Sequence, residues 1–165
     1  MAALRNVDEK LAEVLGLAQA ATAATTTVEK LVEDDEQRRL LAQMREEAEE
    51  TARRCEAALD DDAFDGRKTA IADKARETKQ EATEMMKTYL GGEDVDGLDG
   101  FEFLTMAEAG ELGHWKVLER MNQGAGIGVI GELTQFAIPV QQRHVEVVDR
   151  TVVELAGEED PLEES

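Results

Sequence analysis

From Leu4 to about Ala24 the apolar residues Leu4, Val7, Leu11, Val14, Leu15 and Ala18 return every three or four positions, the spacing of one helical face. Thr25 to Thr27 interrupt this pattern and offer N-caps for a second helix. Its apolar positions run from Val28 through Leu41, Met44, Ala48, Ala52 and Cys55 to Leu59. Asp60 to Gly66 form an acidic loop, and Ile71, Ala75, Ala82, Met85 and Tyr89 trace a third helix that stops at Gly91-Gly92. The glycine-rich acidic stretch 91–100 predicts a crossing loop. Phe101, Leu104, Leu112, Trp115 and Leu118 mark a fourth helix, closed by Asn122-Gln123-Gly124. Ile130, Ala137, Val148, Val152 and Leu155 mark a fifth, with a kink expected at Pro139. This pattern predicts an all-α fold: one helical-bundle domain over 1–156, made of two hairpins with the third helix between them. Residues 157–165, rich in like charge, predict a disordered acidic tail.

Composition narrows the partners. Thirty-eight Asp and Glu against 18 Lys and Arg give a net charge of −20, which disfavours nucleic acid and anionic membrane. No apolar run is long enough to cross a bilayer, and the N-terminal residues lack the order of a secretory signal, so a cytoplasmic location is expected. The lone Cys55 has no internal disulfide partner and no nearby histidine, and its place on an apolar stripe predicts an inert buried thiol.

Four motifs fail in their context. Gly126, Gly128 and Gly131 have the spacing of a dinucleotide fingerprint, but the segment before them has helical rather than strand periodicity, so a flexible helix-helix turn fits better. Asp94, Asp96 and Asp99 suggest a calcium loop, yet the glycine and the closing glutamate are missing from register; loop acids and a helix N-cap explain them. Glu46, Glu47, Glu49 and Glu50 are expected on one exposed helical face, while Met85 and Met86 are expected to fill core gaps.

One constellation remains. The seam of the fourth helix runs Leu104, Glu108, Glu111, Trp115, Leu118 and Asn122, placing two carboxylates at core positions, with His114 flanking them. On the fifth helix Gln141 and His144 face inward three residues apart. Buried without partners, these groups would cost several kcal/mol by desolvation. Two answers stay open: a metal ion, iron, manganese or zinc, held by carboxylate and imidazole, or a metal-free hydrogen-bond network in which His144 donates to Glu108 or Glu111 across the seam and Gln141 takes the remaining bonds. Either way Glu111 and His144 are expected to be coupled, directly or through the metal.

The stretches MREEAEETARRCEAAL, AIADKARETKQEATEMM and EAGELGHWKVLERM, and more loosely QQRHVEVVDRTVVELA, resemble the ferritin-like superfamily, and more narrowly small stress-associated bacterial proteins of the YciE/YciF type. The resemblance implies a four-helix bundle with an additional bridging helix between the hairpins and a di-metal carboxylate site. Against the superfamily pattern of two Glu and two Glu-x-x-His, Gln141-x-x-His144 replaces one motif, and the first hairpin offers only Asp8 near its apolar edge. A single metal or none is then expected. The leading expectation is a stress-associated protein with a partial or lost metal site, non-catalytic, acting through a homodimer or another protein partner. The alternative is a metalloprotein of oxidative stress, or an oxidoreductase, in which Glu108, Glu111, His114 and His144, with Gln141 beside them, surround one metal. The acidic exterior also fits solubility in a salty cytoplasm.

Overall fold

A computed structural model describes residues 2–164; Met1 and Ser165, the outer ends of the expected domain and tail, lie outside the described residues. Five helices follow one another: α1 (Asn6–Glu29), α2 (Asp35–Ala58), α3 (Lys68–Leu90), α4 (Gly97–Ala125) and α5 (Gly128–Ala156), with a 3-10 turn at Asp62–Phe64 between α2 and α3. No strand occurs among the described residues.

Helix α1 packs against α2, α3 and α4, and α5 packs against α4 and α2. A helix covered on three sides cannot be amphipathic in the usual sense, and α1 accordingly buries small residues around most of its girth, including Ala12, Ala18, Ala20, Ala21 and Ala24. The core falls in two clusters. One, around Leu11, Leu15, Phe64, Ile71, Trp115 and Ile130, joins α1 to every other helix. The other, around Val28, Leu41, Phe101, Leu104 and Val148, closes the opposite end. Among the described residues no helix is long and apolar enough to cross a membrane.

The boundaries differ from the sequence expectation in three places. Thr25 and Thr26 do not cap α2; they lie inside α1, where each hydroxyl donates to the carbonyl four residues back at 2.8 Å, so the helix continues through them. The true cap is Asp34, whose carboxylate accepts from the Gln37 N–H at 2.9 Å. The expected loop 91–100 ends early because Asp96 caps α4 and exchanges hydrogen bonds with Asp99 at 3.0 Å in both directions. Gly100 thus belongs to a helix, and its missing side chain is a packing device: a Cβ there would sit 2.9 Å from Val28 Cγ1. At the other end α4 runs past Gly124 to Ala125 and stops at Gly126 in the left-handed conformation, φ 66°. Gly128 and Gly131 belong to the first turn of α5, which continues through Pro139 without a break. The exposed turns of 157–164 follow α5.

Asp8 is fully buried and ties the N-terminus to the α2–α3 connection. It accepts from the Arg5 side chain at 2.6 and 2.8 Å and lies 3.5 Å from Arg67 Nε. Burial alone would raise its carboxyl, but the Arg5 guanidinium and backbone N–H and the charge of Arg67 outweigh that and hold it below the ordinary carboxylate range.

Helices α1 and α3 cross at Gly16, where a Cβ would stand 2.5 Å from the Ala75 carbonyl oxygen and 2.7 Å from Thr78 Cβ. Gly16→Ala should therefore destabilise by about 1–3 kcal/mol, since backbone cannot move aside as a side chain can. Gly124→Ala, with open space around it, should gain about 0.5 kcal/mol from helix propensity. Urea denaturation of both variants checks the pair, and a neutral Gly16→Ala would contradict the close crossing.

Candidate functional site

Every residue of the α4 seam from Leu104 to Leu118 is buried, so the helix carries Glu108 and Glu111, at 2% and 5% exposure, into the interior. Helix α5 presents Gln141 and His144 to the same region, each 4% exposed. Gln141 Nε2 donates to Glu108 twice, to Oε2 at 2.6 Å and to its backbone carbonyl at 3.0 Å. Both neighbours are acceptors, which dictates that the amide turns its nitrogen toward them. His144 Nδ1 stands 3.3 Å from the same Glu108 Oε2.

The fourth member of this network comes from α2. Glu47 Oε2 lies 3.1 Å from His144 Nε2 and accepts from Arg143 at 2.8 Å, while Gln43 donates to its other oxygen at 2.8 Å. The expectation that Glu47 shares an exposed face with Glu46 and Glu50 is corrected: it turns inward at the edge of the α2 seam. Its spacing carried the signal, three residues after Met44 and four before Thr51, both buried.

Glu111 and His144 are not paired, contrary to expectation. Glu111 Oε1 accepts instead from Trp115 Nε1 on its own helix, at 3.4 Å. His114 stands apart from the network and is partly exposed, with Nδ1 3.0 Å from Glu13 Oε2 and 3.3 Å from Lys10 Nζ on α1. Of the two inward methionines expected, Met86 is buried and Met85 is exposed. Cys55 is sealed, as its stripe position predicts; burial, with Glu111 and Glu56 adding negative charge, pushes its thiol up and leaves it a poor nucleophile.

These placements bear on metal binding. Among the described residues, no group of three or more His, Cys, Asp or Glu side chains is disposed to hold a metal ion. The reason is visible around His144: its two nitrogens face carboxylates on opposite sides, from α2 and α4, so neither lone pair converges with them on a common centre. Gln141 offers an amide N–H to Glu108 rather than a ligating oxygen. The residues around His144 fit an imidazole hydrogen-bonded between two carboxyl groups better than they fit a bound metal ion.

The two ends of the network respond oppositely to pH. Burial alone would raise Glu47, but the Gln43 amide, the charge and hydrogen bond of His144 and the charge of Arg143 hold it below its ordinary value. It stabilises the fold above the unfolded-state pKa, and that contribution fades as pH falls through the lowered folded value. Glu111 is raised well above the ordinary range, first by burial and then by the charge of Glu108, which the Trp115 hydrogen bond only partly opposes. Its protonated form favours the fold below the unfolded-state pKa, and that advantage is lost as pH rises through the raised folded value.

No family model matches the chain, and neither a curated protein nor a solved structure matches it. Function is therefore argued from the chain's own groups.

Replacing His144 by Ala should cost about 2–5 kcal/mol, because it strands Glu108 inside the bundle. Glu108→Gln in that background should recover part of the loss, whereas Glu111→Gln should not. Urea denaturation of the single and double variants measures the coupling, and purely additive effects of His144→Ala and Glu108→Gln would contradict it.

Proposed function

We propose that the chain is a metal-free, ferritin-like helical bundle that acts without catalysis, by associating with a second copy of itself. The ferritin-like part rests on the sequence resemblance and on the order of neighbours, in which α1, α2, α5 and α4 touch in a ring and α3 lies against α1 and α4 as a bridging helix would. The stress-associated role follows from the resemblance alone. What supports the absence of catalysis is that His144 is engaged at both nitrogens and Cys55 is sealed, so neither offers a free base or nucleophile.

The observation that carries self-association is the outer face of α4. Met106, Gly110, Gly113, Val117 and Met121 recur there at helical spacing. Met106, Val117 and Met121 are exposed apolar side chains, and the two glycines face open space. Along one flank of this stripe stand Glu102 near the start of the helix and Lys116 and Arg120 toward its end, all exposed. An antiparallel pairing about a two-fold axis between Gly110 and Gly113 sets Glu102 of each helix toward Arg120 of the other. The glycines let the helix axes approach closely, and moderate salt screens the repulsion between two chains of charge −20.

Sedimentation equilibrium at moderate salt should find a dimer for the parent chain and a monomer, with unchanged helical circular dichroism, for Val117→Glu. A parent that stays monomeric at high micromolar concentration, or a variant that dimerises equally well, would refute this reading.

A further inference from the structure

A cavity of about 180 Å³ opens between α1, α3 and α4, on the side of α4 away from the Glu47–His144 network. Its walls are small or apolar: Ala21 and Ala24 of α1, Met86 of α3 and Phe103 of α4, with Met85 and Met106 exposed beside it. Glu108 and Glu111 also line it, with His114 beside them. Each has an oxygen that makes no hydrogen bond with the described residues, since Glu108 bonds through Oε2 and Glu111 through Oε1. Yet among the described residues no fully enclosed side-chain oxygen lacks a partner. The free oxygens, Glu108 Oε1 and Glu111 Oε2, are therefore open to the cavity these residues line, on side chains that are otherwise at least nine-tenths buried.

A free oxygen from each glutamate at the base of an apolar pocket defines a ligand of mixed character. A cation placed there offsets the burial and the Glu108 charge that raise Glu111, so Glu111 ionises as it binds. Apolar walls hold water poorly, and carboxyl oxygens left without a donor in such surroundings are costly. An apolar cavity of about 150 Å³ admits a benzene ring, so this one has room for a ring with a short polar arm. An anionic head is excluded by the two carboxyl groups and by a net charge of −20, which also draws cations toward the mouth. A primary ammonium supplies three donors from one atom, enough to bridge both free oxygens. We infer that this cavity binds a small primary amine with an apolar tail, the ammonium held by Glu108 and Glu111 and the tail lying among Ala21, Ala24, Met86 and Phe103. The cavity shares Met106 and Gly110 with the self-association stripe, but the groups that hold the amine face inward and Val117, whose replacement tests the dimer, lies outside the cavity lining, so failure of one reading is distinguishable from failure of the other.

The probe is 2-phenylethylamine, titrated calorimetrically into the full chain at elevated salt, where attraction to the acidic surface is screened. Stoichiometric binding is expected, with 2-phenylethanol weaker by about tenfold or more and 3-phenylpropionate not binding. Glu111→Gln should weaken the amine by about tenfold while leaving the alcohol nearly unchanged. Ala21→Leu, which fills the cavity, should weaken both. Equal binding of amine and alcohol to the parent would overturn the role of the carboxyl groups, a comparison that requires no variant to fold. Undiminished amine binding by a folded Ala21→Leu chain would move the site to the surface, and no binding at millimolar amine would remove it.

Discussion

Glu108 carries its carboxyl group into the interior of the bundle, and the arrangement of three helices follows from how it is satisfied. One of its oxygens faces donors on α5 only, the Gln141 amide and the His144 ring. The ring in turn needs an acceptor on its far side, and α2 supplies Glu47. A slip of one residue along α4 or α5 would turn these groups away from one another while keeping much of the apolar contact, so the polar chain adds a register condition that Leu and Val alone would not impose. The associated cost is that no member can be removed singly without stranding another.

The same chain separates the interior into two environments. On the α5 side of α4, Glu108 Oε2, the Gln141 amide nitrogen and both His144 nitrogens are engaged and hold the helices together. On the α1–α3 side the free oxygens of Glu108 and Glu111 meet apolar walls and open space. Small residues on α1 make that difference possible, because Ala20, Ala21 and Ala24 allow α3 and α4 to lie close without filling the volume between them. Helix α4 therefore has three faces with three tasks: a seam toward α5, a cavity wall toward α1 and α3, and an apolar stripe toward solvent with opposite charges at its two ends.

Much of this was legible in the residues. The helical period located all five helices, and the α4 seam identified Glu108 and Glu111 as buried before any packing was known, because polar residues that fall in phase with Leu104, Trp115 and Leu118 cannot avoid the core. Gln141 and His144 followed by the same reasoning on α5. What escaped was of two kinds. Glu47 stands at the margin of the α2 stripe within a run of acids, where periodicity alone cannot separate an inward edge from a solvated one; only the arrival of His144 from another helix decides it. The threonines of α1 and the glycines at the start of α4 misled because their local preferences for caps and loops are overridden by back-bonding hydroxyls and by close contact with Val28. Pairings between helices, such as Glu108 rather than Glu111 with His144, depend on axial rotation and offset that a single helix pattern does not contain.

His144 bridges Glu47 and Glu108 by hydrogen bonds, an arrangement that leaves no convergent set of metal ligands among the described residues. The most direct measurement is elemental analysis of the purified chain after incubation with excess ferrous, manganous or zinc ion and removal of free metal. Far less than stoichiometric metal is expected for all three ions. Stoichiometric metal that disappears when His144 is replaced by Ala would contradict that arrangement.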